Sequence, residues 1–234
     1  MTKVIILYGI RRSGNHAILN LLVNSCENYV HMNDIELSYD KYSISKITPI
    51  KNRYSDRKYI GVLDSQLVIL SLENKLPNYD ELLKFQKKEN TYIAILLRNP
   101  FNNLASIWKV YKKSQKKLII SKQLWLIYSM YFLKSTKINN LIKIIYDKFY
   151  SEDEEYKIDV MSKFDIEYEK VKIHLKEYYA WGKSSFNNSL NQRTVGYSYE
   201  NNIFNKDKQF MSIVNDKRLT LNWTKIVKKH NINN

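Results

Sequence analysis

Hydrophobic and polar positions along the chain alternate between short apolar runs and longer stretches of helical periodicity. Val4 to Tyr8 is a continuous apolar run, and it leads into a turn with a glycine at each end, Gly9 to Gly14. From Asn15 onward, Ala17, Ile18, Leu21 and Leu22 recur at helical spacing, so this region reads as strand, loop and helix. Tyr59 to Leu63 and Leu67 to Leu72 are further β-type runs. Tyr92 to Leu97, bounded by Thr91 and Arg98, is apolar throughout, as in a strand buried on both faces.

Asn99 is a good helix cap and Pro100 a good first helical residue, which predicts a helix from Pro100 towards Lys113. A second long helix is expected from about Ser121 to Thr136. The stretch from Ser151 to Tyr179 is charged and favours helix, whereas the tail beyond Gly182 is rich in Asn, Ser and Lys with little periodicity. Buried strands alternating with helices predict a three-layer α/β fold, a parallel sheet of about five strands flanked by helices. With 3 Pro and 5 Gly in all, no linker, repeat or boundary is visible, and residues 1–234 read as a single domain.

Composition supports that reading. The chain has 234 residues, 44% hydrophobic and 13% aromatic, enough for one sizeable core and unlike a disordered chain. The single cysteine, Cys26, excludes an intramolecular disulfide and a cysteine-based zinc site, so a reducing, cytoplasmic setting and no metal are expected. The apolar run Val4 to Leu7 is too short for a signal peptide or a membrane span, and Leu124 to Leu133 is broken by Tyr128 and Ser129, so no transmembrane segment is expected. Lys and Arg total 38 against 23 Asp and Glu, a net charge of +15, which points to anionic partners. The excess is mostly Lys, travels with abundant Asn, Ile and Tyr, and lies in scattered pairs such as Lys87 with Lys88 and Lys228 with Lys229. It reads as solvated background, and no nucleic-acid partner is expected.

The loop Gly9-Ile-Arg-Arg-Ser-Gly14 has its glycines at the spacing of a nucleoside-triphosphate loop, but Asn15 and His16 stand where that loop has Lys and Ser or Thr. Without a lysine for the outer phosphates or a hydroxyl for Mg²⁺, it suits a single 5′-phosphate held on backbone N–H groups and a helix N-terminus. Arg12 adds fixed positive charge and Ser13 a hydroxyl. Otherwise it is an ordinary strand-to-helix turn with Arg11 and Arg12 exposed. A second anion site is suggested by Arg98 at a strand end, with Ser106 on the helix that follows. The plainer alternative pairs Arg98 with a carboxylate and leaves Ser106 in solvent.

Arg12-Ser-Gly-Asn-His-Ala17 and Leu97-Arg-Asn-Pro-Phe-Asn-Asn-Leu-Ala-Ser106 resemble the two nucleotide motifs of the sulfotransferases that use 3′-phosphoadenosine 5′-phosphosulfate (PAPS). The resemblance implies a P-loop-like sheet, PAPS as co-substrate and PAP as product, with no metal. It places Arg12, Ser13, Gly14, Asn15, His16 and Ala17 around the phosphosulfate, and Arg98 and Ser106 on the 3′-phosphate. Gly182-Lys-Ser-Ser-Phe186 is similar to the family's adenine-pocket loop, which carries over Ser184 and Phe186. Arg193-Thr-Val-Gly196, with Tyr199 to Phe204, resembles the segment closing over the 3′-phosphate, with Arg193 as its cation. Tyr146-Asp147 resembles the site of an adenine-contacting Tyr, and His31-Met-Asn-Asp-Ile35 is similar to bacterial and viral relatives, where it ends the second strand near the site.

Sulfuryl transfer passes through a loose, in-line transition state, so positioning and charge neutralisation dominate. Arg12, the loop amides and His16 are the expected stabilisers of the leaving group. An acceptor hydroxyl also needs a general base. No His lies between His31 and Arg98, and the Lys that cytosolic members carry beside their His is missing too. Glu73, ending the run Ile69-Leu-Ser-Leu-Glu73, is therefore the expected base, with Asp34, His31 and His16 as reserves. The expected acceptor is a carbohydrate hydroxyl or amine, met by loops within Tyr39 to Arg57 or Tyr111 to Gln123. The alternatives are a non-catalytic nucleic-acid or polyanion binder on a degenerate P-loop fold, supported by the charge, and a nucleotide or nucleoside kinase, which the missing lysine argues against.

Overall fold

The computed structural model describes residues 2–26, 29–33, 66–134, 138, 141–150, 154–168 and 207–232. Five strands form one sheet: β1 (Lys3–Gly9), β2 (Tyr29–Asn33), β3 (Leu67–Glu73), β4 (Thr91–Leu97) and β5 (Leu141–Ile145). Their order is β2-β3-β1-β4-β5, and every pairing is parallel. The expected α/β class is observed. The run Tyr59 to Leu63 lies outside the described residues, while β5, not anticipated as a strand, completes the sheet.

The strands are continuous apolar runs because both faces of the sheet are covered. On one face Val4, Ile6 and Tyr8 of β1 pack with Trp108, Trp125, Phe210 and Ile226 from helices. On the other, Ile5 and Leu7 pack with Ile18, Leu22, Phe149 and Met161. The helices are α1 (Asn15–Asn24), α2 (Tyr79–Gln86), α3 (Pro100–Val110), α4 (Gln115–Leu133), α5 (Tyr146–Tyr150), α6 (Glu154–Ser162), α7 (Lys208–Val214) and α8 (Lys217–Lys229).

Asn99 caps α3 as expected, its side chain accepting from the N–H groups of Phe101 (3.0 Å) and Asn102 (3.4 Å). The second long helix begins at Gln115 rather than Ser121, because Leu118 already faces the core with Trp125 and Tyr128. A larger correction concerns the tail. It holds α7 and α8, capped by Asp207 and Asp216 and anchored by Phe210, Leu219 and Ile226, whose sparse apolar positions did not register as periodicity. Of the stretch from Ser151 to Tyr179, residues 154–162 are helical as expected, and those beyond 168 lie outside the described residues.

β1 lies between β3 and β4: the connection from β1 runs to β2 on one side and that from β3 to β4 on the other, a reversal that opens a crevice at the strands' carboxyl ends. Gly9, Glu73, Arg98 and Tyr146 stand at or just past those ends.

Candidate active site

The loop between β1 and α1 folds partly onto itself. Ser13 is buried, its N–H donates to the Ile10 carbonyl (3.0 Å), and its hydroxyl lies 2.6 Å from that oxygen and 3.2 Å from Asn15 Oδ1. The Asn15 side chain tucks beneath the loop: a Cβ on Gly9 would lie 2.0 Å from its Oδ1, so only glycine fits there. The Ser13 hydroxyl and the Asn15 side chain, both expected to meet a ligand, make these hydrogen bonds within the protein. The loop also offers backbone to an anion. The Ala17 and Ile18 N–H groups both reach the Gly14 carbonyl, and α1 has no side-chain cap, so the first-turn amides of Asn15 and His16 have no acceptor within the helix. The side chain of His16 lies outside the described residues.

Arg12 takes a left-handed backbone conformation, φ 68°, and its Nε donates to Ser106 Oγ at 3.1 Å. Arg98 Nη1 donates to the Arg12 carbonyl at 3.0 Å, and its guanidinium carbon lies 5.0 Å from the centroid of the Tyr146 ring. That ring covers Gly14 so closely that a Cβ there would meet Tyr146 Cδ2 at 1.9 Å. The two anion sites inferred separately are thus one contiguous patch, with Ser106 turned to Arg12.

The electrostatics of this patch call for an anion. Burial, and next the charge of Arg98, push the Arg12 guanidinium below its ordinary value, and Glu73, Tyr111 and Tyr146 only partly offset this. Arg98 Nε is buried and has no hydrogen-bond partner among the described residues. Two crowded guanidinium groups with an unmet donor cost free energy until an anion answers them.

Glu73 stands beside Gly9 in the sheet register, at the carboxyl end of β3. Its side chain is 12% exposed, and Arg11 Nε donates to Oε2 at 3.1 Å while Asn15 Nδ2 donates to Oε1 at 3.2 Å. It is therefore a half-enclosed, hydrogen-bonded carboxylate at the crevice, and Arg11 is not merely exposed. Arg11 is held from several elements: Nη1 donates to Tyr111 Oη (3.1 Å), its N–H to Asn74 Oδ1 (3.0 Å), and its carbonyl accepts from Asn103 Nδ2 (3.0 Å). His31 points to Ser71, Nε2 to Oγ 3.0 Å; Ser71 lies on β3 two positions before Glu73, and the register partner of His31 is Ile69.

Asp147 was not anticipated as a site residue. Its Oδ2 accepts from the Asn99 N–H at 2.7 Å, tying the start of α5 to the Arg98-Asn99 corner. Burial pushes its carboxyl above the ordinary range, while the Asn99 N–H and the Arg98 charge pull the other way. The usable signal for Asp147 was its place next to Tyr146 after an apolar run; Arg11 and Tyr111 had none, because their meeting is a product of the fold. Asp34, Ser184, Phe186 and Arg193 lie outside the described residues. Among the described residues no cluster of His, Cys, Asp or Glu could hold a metal, and no helix is long and apolar enough to cross a membrane.

No protein-family model and no curated protein matches the chain. Among solved structures it is similar to mouse sulfotransferase SULT7A1 complexed with PAP, at 15% identity over 99% of this chain and 86% of that one, TM-score 0.49. It is also similar to the sulfotransferase domain of the Synechococcus PCC 7002 olefin synthase, at 10% identity over 72% and 75% of the two chains, TM-score 0.41.

Proposed function

We propose that the chain transfers a sulfuryl group from PAPS to a hydroxyl or amine of an acceptor, a carbohydrate being the first to test. The observation that carries the proposal is the guanidinium pair at the crevice: Arg98, with a buried unmet Nε, and Arg12, each linked to the loop whose first helical amides are open. The set fits a nucleotide bearing two separated anionic groups. The first-turn amides suit the 5′ group and Arg98 suits a second phosphate, whereas a triphosphate with Mg²⁺ would lack its lysine and hydroxyl.

Bound there, PAPS supplies an activated sulfuryl group and a nucleotide leaving group. The protein's part is positioning and charge. Arg12, already at the loop, neutralises negative charge near the α1 N-terminus, and Ser106 sets the direction of its Nε. Tyr146 flanks Arg98 and Gly14 and offers a ring edge to the nucleotide side of the patch. Glu73 is hydrogen-bonded to the loop through Arg11 and Asn15; each oxygen has accepted one hydrogen bond and keeps capacity for another, so it can take a proton from an acceptor hydroxyl.

Calorimetry with PAP tests the proposal. PAP should bind more tightly than AMP, the Arg98→Ala variant should lose that preference, and Glu73→Gln should bind PAP while losing transfer of label from PAPS. Absence of PAP binding would reject the assignment, and unchanged turnover in Glu73→Gln would remove Glu73 as the base.

A further inference from the structure

The charge of the chain is not spread evenly over the fold. The segments 100–134 and 207–232, which build α3, α4, α7 and α8 on one face of the sheet, contain 13 Lys and Arg against two acids, Asp207 and Asp216, whereas α2 on the same face carries Asp80 and Glu81 against Lys84. Both acids already face cations: Asp207 pairs with Lys113, and Asp216 with Lys122 and Arg218. On the opposite face, segments 146–150 and 154–168 hold six acids against three lysines. No Asp or Glu occurs between Glu89 and Asp147. Among the described residues, the lysines of these two segments, far apart in sequence, are brought to neighbouring helices by the fold.

The same layer exposes apolar side chains. Of the exposed large hydrophobics among the described residues, Val110, Ile119, Ile120, Ile127, Met130 and Leu221 belong to α3, α4 or α8, while Leu76, Tyr79 and Ile158 lie elsewhere. On α4 the solvent stripe advances by alternating steps of four and three residues, Lys116, Ile120, Gln123, Ile127, Met130 and Lys134, an apolar centre with a lysine at each end. α8 lies alongside: Asn222 Nδ2 donates to Ser129 Oγ at 2.9 Å, and Trp223 meets Trp125 edge-on. Its exposed positions include Lys217, Leu221, Lys225 and Lys228. The turn from α3 to α4 adds Lys112 and Lys113 in left-handed conformation, at φ 49° and 64°, beside Tyr111 at the rim of the site.

Lysines around isolated large aliphatic side chains on a helical face are what an anionic bilayer surface selects: headgroups meet the charges and the apolar tips enter the boundary with the acyl chains. A nucleic acid or an acidic polysaccharide would satisfy the lysines but leave the isoleucines without a partner. We infer that the α3–α4–α7–α8 layer is a peripheral docking face for a membrane rich in anionic lipid. This inference is independent of the nucleotide reading, since none of the exposed lysines and aliphatic side chains named for the face belongs to the anion patch.

The test is co-sedimentation of the full chain with vesicles of phosphatidylcholine alone, or of phosphatidylcholine with phosphatidylserine, at low and at physiological salt. Binding is expected only to the phosphatidylserine vesicles, weakening as salt rises. Charge reversal at Lys116, Lys117 and Lys134 should weaken it at least ~100-fold. The exposed pair Ile120→Ser with Ile127→Ser, which leaves every charge in place, should weaken it about 10-fold or more. Circular dichroism confirms that both variants fold. No binding to phosphatidylserine vesicles, or binding that ignores the Ile120 and Ile127 substitutions, would overturn the inference. So would equal affinity for duplex RNA or a heparin oligosaccharide, since a surface reading charge alone gains nothing from its isoleucines.

Discussion

Gly14 joins backbone geometry to the candidate site, and Gly14→Ala perturbs both. At φ 101° and ψ 17° the residue is in left-handed territory, where an L side chain costs about 1–2 kcal/mol. The new Cβ would also lie 1.9, 2.2 and 2.7 Å from Cδ2, Cε2 and Cγ of Tyr146, so the ring must retreat by roughly 1.5 Å to reach ordinary contact. Overpacking of this kind costs about 1–3 kcal/mol. Displacing the ring also weakens its contact with the Arg98 guanidinium, 5.0 Å from its centroid, for about 0.5–2 kcal/mol more. The sum, about 2.5–7 kcal/mol, is a large part of the ~5–15 kcal/mol that holds a domain folded. Urea denaturation of the full chain measures it. In the double variant with Tyr146→Ala the steric share disappears, so Gly14→Ala should cost only its backbone share of about 1–2 kcal/mol there. If the two substitutions simply add, the clash with Tyr146 is not what makes Gly14 necessary.

Other consequences follow from neighbouring contacts. Arg11→Met and Glu73→Gln should be coupled in a double-mutant cycle of denaturant stability by about 1 kcal/mol, since Arg11 is 34% exposed and solvent screens part of the pair. Additive costs would mean the pair is not formed in solution. Asp147→Ala strips the Asn99 N–H of its acceptor in a buried corner and should cost about 1–3 kcal/mol. Asp147→Asn, which can still accept, should recover part of that. His230 is pushed below its ordinary value of 6.5, first by burial and then by the charge of Lys229, so the folded state binds its proton less readily than the unfolded chain. Its contribution is complete above the unfolded value and declines as pH falls below 6.5, so Tm should drop on acidification. His230→Phe should flatten that part of the profile, and an unchanged slope would assign it elsewhere.

Much of the scaffold was legible in the chain because its causes are local. The runs Val4 to Tyr8, Leu67 to Leu72 and Tyr92 to Leu97 are apolar at consecutive positions, which a doubly covered parallel sheet requires, and Asn99 with Pro100 starts α3 by hydrogen bonding and by a fixed φ. The loop and Arg98 were visible for the same reason, since a strand, a glycine turn and a helix follow one another directly. α7 and α8 were not, because their few apolar positions become meaningful only when α4 is present to cover them.

The sequence by itself determined which segments could be buried strands, and that a lone phosphate-type loop lacked the lysine for a triphosphate. Tertiary structure alone decided which side chains of that loop face the protein and which face the crevice: Ser13 and Asn15 turned inward, Arg11 was drawn to Glu73, and Arg12 to Ser106. Among the described residues, it also brought the lysines of 100–134 and 207–232 to neighbouring helices. The physical reason is the same in both cases. Hydrophobic spacing is written along the chain, whereas the pairing of charges depends on distances between residues that only folding brings within a few ångströms.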